Sequence, residues 1–165
     1  MNSTSLDTNR FRSACCKFPT GVTVTTLRGA DGQPYGITVS SFTSVSLDPP
    51  LVLVCIDHRS QILKHIAVGH PFGINVLTEG QRDLAARFSR NWGERFAGVA
   101  WRPGETGVPL LSGIAASFEC HVAELKRAGD HFIVLGSVSH VSFSDRAAMT
   151  YFNGSYCGNG RPQFA

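Results

Sequence analysis

A run of hydroxyl side chains is the most chemically suggestive feature of the sequence. Six of the nine residues at positions 38–46 carry a hydroxyl group. Where a strand gives way to a loop, alternate hydroxyls and backbone N–H groups can converge on one anion, and phosphate offers several acceptor oxygens to such donors. The segment therefore predicts a phosphate-binding loop. The alternative is a strand edge whose hydroxyl groups are simply solvated.

Four further polar side chains stand where they could serve a ligand. Asn75 lies in an otherwise apolar strand, where its amide needs partners, either as a structural group or beside a heterocyclic ring. Arg87 ends a predicted helix, and its planar fork suits phosphate as well as it suits the helix dipole. His131 begins a strand and can stack on or hydrogen-bond a heterocycle. Tyr156 lies in a glycine-rich stretch, as a packed anchor or as a lid over a ligand.

Composition and missing motifs exclude several classes of function. The sequence contains no GxGxxG after a strand, no GxxxxGK[ST], no GxSxG and no HExxH. The five cysteines form no CxxC pair, which predicts reduced thiols and no metal site. A net charge of +3 without a Lys/Arg block argues against nucleic acid. Neither a transmembrane run nor a signal peptide is visible, so we expect a cytoplasmic protein with no membrane partner.

The predicted elements are mostly short strands with a few short helices. Helices are predicted over residues 5–16 and 60–68 and after a Thr78–Gln81 capping box, with an irregular connection over 89–111. Strands are predicted over residues 22–27, 37–39, 51–56 (buried on both faces), 72–77, 115–125 and 131–141. This pattern favours an antiparallel β-barrel with helical additions over a doubly wound α/β fold, whose helices would be longer and more numerous.

Five segments, taken in order, resemble the short-chain flavin reductases of two-component flavin-dependent monooxygenases. They are FPTGVTV (18–24), TVSSFTSVSLDPPLVLVC (38–55), FGINVL (72–77), LAARF (84–88) with FAG (96–98), and GDHFIVLG (129–136). The resemblance implies a single domain over residues 1–165 with its core at about 11–156. It also implies a mainly β fold, the FMN-binding split β-barrel (antiparallel and Greek-key-like), and a homodimer, which suits a charged fraction of only 16%.

The resemblance also implies roles for individual residues. His131 matches a position that holds the nicotinamide over the flavin, which makes it the candidate catalytic residue. Tyr156 resembles a C-terminal tyrosine that helps to fold the nicotinamide cofactor into the site. The candidate cofactor-binding residues are Thr38, Ser40, Ser41, Ser44, Arg59, Ser60, Gln61, Asn75, Arg87, Phe88 and Tyr156.

The implied activity is an NAD(P)H-dependent flavin reductase. Hydride would pass from NADH or NADPH to FMN or FAD, and the reduced flavin would diffuse to a separate monooxygenase. The sequence distinguishes neither the two flavins nor the two nicotinamides. The alternatives are a non-enzymatic flavin-binding or electron-transfer protein on the same barrel and, ranked third, an oxidase of the pyridoxamine-phosphate class.

Overall fold

The computed structural model describes residues 6–90 and 94–157 and contains two α-helices and two 3₁₀ helices. Helix α1 spans Thr8–Cys15 and helix α2 spans Arg82–Ser89, and the 3₁₀ helices span Gln61–His65 and Glu79–Gln81. The strands are β1 (Thr20–Gly21), β2 (Thr23–Arg28), β3 (Pro34–Val39), β4 (Thr43–Leu47), β5 (Pro50–Asp57), β6 (Pro71–Val76), β7 (Trp101–Pro103), β8 (Pro109–Leu111), β9 (Ala116–Ala128), β10 (His131–Phe143), β11 (Thr150–Phe152) and β12 (Ser155–Cys157).

One seven-stranded sheet forms the body of the molecule, in the order β3-β2-β6-β9-β10-β5-β4. Every neighbouring pair within it is antiparallel. The predicted mainly β, antiparallel architecture with short helices is therefore confirmed. The doubly wound alternative requires parallel strands joined by crossover helices, and the described residues contain no parallel pair.

Two apolar clusters fill the interior on either side of the central strands. One joins β5, β6 and β10 through residues such as Val54, Phe72 and Val134, and the other lies under helix α2 around Phe88. Strand β5 alternates between buried and half-buried positions, so the prediction that both its faces are buried is wrong for the single chain. Burial on one face follows from the period of two along any strand.

The helix predictions hold where capping signals are strong. Asp7 caps α1 by accepting a hydrogen bond from the Asn9 N–H at 2.9 Å, while the predicted start at Ser5 lies outside the described residues. The Thr78–Gln81 capping box is present ahead of α2. The helix predicted over 60–68 is only the 3₁₀ turn Gln61–His65, because Ile66 is already extended and the chain next joins the sheet.

Two short hairpins occupy segments that sequence patterns describe only as irregular. Strands β7 and β8 pair within the 89–111 connection, and β11 and β12 pair near the C-terminus and add to β1. Strands of three residues are too short to show a periodic pattern, so only pairing in the folded chain reveals them.

The long hairpin β9–β10 places His131. Both strands extend further than predicted, and the connection at 126–130 narrows to a tight turn at Gly129 and Asp130. Gly129 has φ +62°, a conformation that glycine adopts without a steric penalty. His131 is consequently the first residue of β10, directly opposite Asp57 at the end of β5.

Candidate functional site

A cavity of about 230 Å³ lies where β3, β5 and the start of β10 meet, and it is called the smaller cavity below. It brings together four residues predicted from distant parts of the sequence: Thr38, Ser40, Ser41 and His131. Its other lining residues are Ile37, Val39, Cys55, Ile56 and Asp57. The ladder of β3 ends at Val39 and that of β4 begins at Thr43, so the backbone N–H groups of the intervening loop lie outside the strand pairing.

The His131 ring is held from one side. Its Nδ1 lies 2.8 Å from Asp130 Oδ1, and this hydrogen bond and the imidazole charge lower the pKa of Asp130. An ionised carboxylate only accepts, so Nδ1 carries the proton and donates. The ring remains 43% exposed, and no described residue hydrogen-bonds its Nε2. The arrangement leaves one fixed nitrogen and one nitrogen free for a ligand.

The predicted hydroxyl groups of the loop are not equivalent. Ser41 accepts a hydrogen bond from the Cys55 N–H at 2.8 Å, and its hydroxyl also lies 3.2 Å from the Cys55 carbonyl oxygen. Thr38 donates to the Ala85 carbonyl oxygen at 2.7 Å, which ties β3 to helix α2. The exposed Ser40 hydroxyl has no hydrogen-bond partner among residues 6–90 and 94–157. Ser40 is therefore the hydroxyl most available to a ligand.

A charged pair follows strand β5. Arg59 donates from Nη2 to Asp57 Oδ2 at 2.7 Å and from Nε to Asp57 Oδ1 at 3.1 Å, which makes a bidentate salt bridge. Hydrogen bonds from the Arg59 side chain and backbone, followed by its charge, lower the pKa of Asp57 well below its usual range. The guanidinium of Arg59, a predicted cofactor-binding residue, thus faces a carboxylate at the edge of the smaller cavity, and Ser60 follows it as the residue before the 3₁₀ turn.

A second cavity of about 630 Å³ lies at the opposite end of β3, and it is called the larger cavity below. Gln61 is the one predicted site residue among those lining it. Its full lining consists of Gln33, Pro34, Tyr35, Gly36, Gln61, Ile62, Glu94, Arg95, Phe96 and Ala97. Successive residues of β3 line different cavities, since Gly36 lines the larger cavity and Ile37 lines the smaller one.

Asn75 is a fully buried residue of β6 and lines neither cavity. Its Nδ2 donates to the Val24 carbonyl and the Thr26 hydroxyl, both at 3.1 Å, and its Oδ1 accepts from the Leu111 N–H at 2.8 Å. Its donors and its acceptor are all engaged in joining β2, β6 and β8. Of the two interpretations of Asn75, this geometry fits the structural amide, and a flavin contact by its side chain finds no support.

Phe88 and Arg87 also have structural surroundings. Phe88 is fully buried and packs edge-on against Phe96, with ring centroids 5.0 Å apart. A Cβ on Gly36 would lie 2.6 Å from the Phe88 ring, so this ring lies directly under β3 and is covered by it. Arg87 donates to the Ala97 carbonyl oxygen at 2.6 Å, and this hydrogen bond joins helix α2 to the 94–97 segment that lines the larger cavity.

Ser44 and Tyr156 lie away from both cavities in the single chain. Ser44 is exposed on the edge strand β4. Tyr156 is half-buried on β12 against Tyr151, with ring centroids 5.3 Å apart, and burial raises its pKa. Their predicted cofactor contacts would require a ligand or a second chain that extends beyond the two cavities.

The sequence reasoning missed Asp57, Cys55, Tyr35 and Arg95 as lining residues. Asp57 and Cys55 belong to the apolar strand β5, whose run of hydrophobic residues drew attention to its burial instead. Arg95 lies in the connection treated as irregular, where no periodicity indicates which way a side chain points. The aromatic content of that connection was the available signal that it packs against something.

The described residues contain neither a cluster of metal-ligating side chains nor a membrane-spanning helix. No group of three or more His, Cys, Asp or Glu side chains lies close enough there to hold a metal ion. None of the helices within residues 6–90 and 94–157 is long and apolar enough to cross a membrane.

The chain matches a family model described as the flavin reductase like domain over residues 15–160. It is 43% identical over 156 residues to the "Probable flavin reductase" of Rhizobium meliloti, which covers 94% of this chain but only 50% of that protein. It is 40% identical over 159 residues to HsaB, the reductase subunit of a flavin-dependent monooxygenase from Mycobacterium tuberculosis. That alignment covers 94% of this chain and 84% of the subunit. The chain thus spans half the length of one curated relative and most of another.

A solved structure supports the same relationship. The NADH:FAD oxidoreductase SgcE6 of Streptomyces globisporus, in complex with NAD and FAD fragments, superposes with a TM-score of 0.87 at 36% identity and covers 96% of both chains. This chain belongs to the flavin reductase-like family. The predicted family and the mainly β, antiparallel fold class are confirmed, and these relatives are named a flavin reductase, a monooxygenase reductase subunit and an NADH:FAD oxidoreductase.

Proposed function

We propose that this chain reduces a flavin with a nicotinamide and releases the reduced flavin to a separate monooxygenase. The observation that carries the proposal is the smaller cavity, where His131 and the free Ser40 hydroxyl lie together beside a loop with unpaired backbone N–H groups. The bound pair of cofactors supplies the redox chemistry, as hydride passes from the nicotinamide ring to the flavin ring. The protein needs only to bind and orient them.

The donors of the smaller cavity suit a phosphorylated heterocycle. The backbone N–H groups of residues 40–42 and the Ser40 hydroxyl can donate to phosphate or ribityl oxygens. Thr38 and Ser41, whose hydroxyls are engaged, would serve by shaping this loop. Arg59, Ser60 and Gln61 extend the donor set towards the larger cavity. Ser44, Arg87, Phe88 and Tyr156 remain predicted cofactor contacts, and Asn75 has a structural role.

His131 is the proposed nicotinamide contact. Asp130 fixes the proton on Nδ1, so in the neutral ring the free Nε2 is an acceptor. A carboxamide N–H₂ group, such as that of nicotinamide, is a suitable donor to it. This fixed orientation would hold the reductant at one distance from the flavin without any proton transfer by the ring.

The cavity volume supports an assembly of two chains. Pockets that enclose small ligands usually measure about 300–1,000 Å³, so about 230 Å³ supplies only part of a wall for two stacked rings. Large apolar side chains are exposed on the neighbouring strands β4 and β10, with Leu47 at 94% and Phe143 at 84%. We propose that a second copy covers these side chains in a homodimer and completes the site.

The reductant and the partner are inferred from the relatives. SgcE6 is named an NADH:FAD oxidoreductase and HsaB a reductase subunit of a flavin-dependent monooxygenase. We therefore propose NADH over NADPH, either FAD or FMN as flavin, and a monooxygenase on a separate chain. The five free cysteines suit a reducing compartment such as the cytoplasm.

Anaerobic mixing of the protein, NADH and free flavin tests this function. We expect the visible absorbance of oxidised flavin to be lost over many turnovers, faster than in a control without protein. Persistent absorbance with both NADH and NADPH would overturn the proposal. Flavin that co-purifies tightly but is not turned over would instead support the non-enzymatic flavin-binding alternative.

A further inference from the structure

A second histidine, His58, lies beside the turn that carries His131, and the proposed hydride transfer does not use it. It follows Asp57, the residue that pairs with His131 at the last step of the β5–β10 ladder. Its side chain is 42% exposed and lines neither of the two cavities. Any effect of His58 on the reaction therefore passes through its neighbours.

His58 directs two hydrogen bonds at one atom, the carbonyl oxygen of Asp130. The His58 backbone N–H donates to this oxygen at 2.9 Å, and the ring Nδ1 lies 2.6 Å from it. A carbonyl oxygen only accepts, so Nδ1 carries the proton and donates. The two bonds match the two lone pairs of the oxygen, and they continue the contact between β5 and β10 beyond the paired residues.

The turn that His58 holds is the exposed tip of a long hairpin. Gly129 and Asp130 form the two-residue loop between the paired residues Ala128 and His131, and residues 128–130 are all exposed. Exposed loop tips are the part of a fold that opens most easily. The hydrogen bonds from His58 attach this tip to the end of β5.

Asp130 connects the attachment to the His131 ring. Its carbonyl oxygen faces His58, and its carboxylate accepts from His131 Nδ1 at 2.8 Å. The Asp130 side chain is 79% exposed, so the position of its carboxylate depends on its backbone rather than on packing. A displacement of the Asp130 backbone would therefore displace the group that orients His131.

The charged neighbours of His58 leave its ring proton to the carbonyl oxygen. Asp57 Oδ1 lies 3.7 Å from His58 Nδ1, which is beyond hydrogen-bond distance. Both carboxylate oxygens of Asp57 already accept from the Arg59 guanidinium. The ring of His58 thus holds a backbone atom and leaves the neutralisation of Asp57 to Arg59.

We propose that His58 is a positioning residue, which acts through Asp130 to fix the His131 ring for the nicotinamide. The proposal rests on the proposed function, in which His131 contacts that ring. The proposed flavin donors lie at Ser40 and the backbone of residues 40–42, on the far side of the smaller cavity's strand β5 in sequence and outside this chain of hydrogen bonds. Loss of His58 is therefore expected to affect the nicotinamide and to spare the flavin.

Steady-state kinetics of three variants test the role of the ring donor. His58→Leu should raise the KM for NADH about 3- to 10-fold, the range of one hydrogen bond, with kcat and the KM for flavin unchanged. His58→Asn should restore the KM, because an asparagine amide can donate from the place of Nδ1. His70→Leu is the matched control, since the His70 ring also bonds a backbone carbonyl, that of Arg28, and lines neither cavity. An unchanged KM for His58→Leu, no rescue by asparagine or an equal rise for His70→Leu would overturn the proposal.

Two further variants test whether His58 acts through His131. On a His131→Ala background, His58→Leu should raise the KM for NADH no further, and an additive rise would contradict the proposal. Asp130→Ala keeps the carbonyl that His58 binds but removes the carboxylate that orients the ring. It should raise the KM as His58→Leu does. If His58→Leu fails to fold, an unchanged KM for Asp130→Ala overturns the proposal.

Nitrogen NMR of the His131 ring tests the linkage without NADH or flavin. At a pH where the ring is neutral, the unmodified protein and His58→Asn should carry the proton on Nδ1, whereas His58→Leu should show a mixture of the two tautomers. Identical spectra for all three proteins would overturn the proposal. If the unmodified protein reduced no flavin, the proposed function would fail, and this spectrum would still decide whether His58 orients His131.

Discussion

The buried side chain of Asn75 and the polar side chains at the rim of the smaller cavity differ in whether their polar groups have hydrogen-bond partners within the described residues. Asn75 is 0% exposed, and its donors and acceptor are engaged by two neighbouring strands, β2 and β8. At the rim, the Ser40 hydroxyl and the His131 Nε2 have no partner among the described residues. Burial without a partner costs free energy, whereas a group at a rim can exchange water for a ligand. Polar residues inside the sheet therefore stabilise the fold, and those at its edge remain available for function.

Ser40 and Ser41 show the same contrast between adjacent residues. The Ser41 hydroxyl bridges the backbone of Cys55, whereas Ser40 is exposed and free within the described chain. Alternation along an extended backbone turns successive side chains to opposite sides, so one of the two meets β5 and the other meets solvent.

Replacement of Asn75 should have the largest effect. Asn75→Leu leaves the buried Leu111 N–H without its acceptor and should lower the free energy of unfolding by about 3 kcal/mol. Chemical denaturation measures this loss. The matched control is Thr25→Val, because the buried Thr25 hydroxyl has no partner in the described residues and its removal should be nearly neutral. A loss below about 1 kcal/mol for Asn75→Leu would contradict a structural amide.

Glu119 extends the comparison to a buried charge. Burial raises the pKa of Glu119, but hydrogen bonds from the Thr106 backbone and hydroxyl and the Glu105 backbone outweigh it and leave the pKa below its usual value. Its contribution to stability is therefore present at neutral pH and is lost as the pH falls below the unfolded-state value.

Glu119→Gln should cost about 1–3 kcal/mol at neutral pH, because an amide N–H₂ group would face a backbone donor. Chemical denaturation between neutral and acidic pH should show the free energies of unfolding of the unmodified protein and of Glu119→Gln converging as the pH falls. A difference that stays constant with pH would show that the carboxylate charge contributes nothing.

His131→Ala tests the rim directly. We expect the KM for NADH to rise about tenfold, which corresponds to one lost hydrogen bond of about 1.4 kcal/mol, at an unchanged melting temperature. The flavin affinity should change little. The control is His121→Ala, which removes an exposed ring from β9 that lines neither cavity. Equal losses of flavin and NADH binding would make His131 a structural residue.

The smallest effect is expected for the two serines. Ser40→Ala should weaken flavin binding by about 0.5–1.5 kcal/mol and leave the melting temperature unchanged. Ser41→Ala should instead lower the stability, because the Cys55 N–H loses its acceptor. Titration of flavin fluorescence and thermal unfolding of both variants provide the comparison. If Ser40→Ala lowered the stability and Ser41→Ala weakened flavin binding instead, the interpretation of Ser40 as the unpaired hydroxyl would be contradicted.

Much of the fold could be predicted from local patterns. The strands around residues 22–27, 51–56 and 72–77 show β-branched or apolar runs bounded by turn residues, and the capping box indicates the start of α2. The two hairpins with three-residue strands were missed, because three residues are too few to show the alternation of apolar and polar side chains that indicates a strand. The grouping of residues 38–41 with His131 came from a family resemblance, and the folded chain places these residues around one cavity.

The sequence by itself determined the antiparallel strands, the caps and the family, because these follow from neighbouring residues and from segments in a recognisable order. Only the tertiary structure decided which polar groups are free. The three partners of Asn75 lie 36, 49 and 51 positions away, and the Gly36 carbonyl that binds Arg95 lies 59 positions away. Whether a polar group is satisfied depends on what packs against it, and in a sheet of this topology those neighbours come from remote parts of the chain.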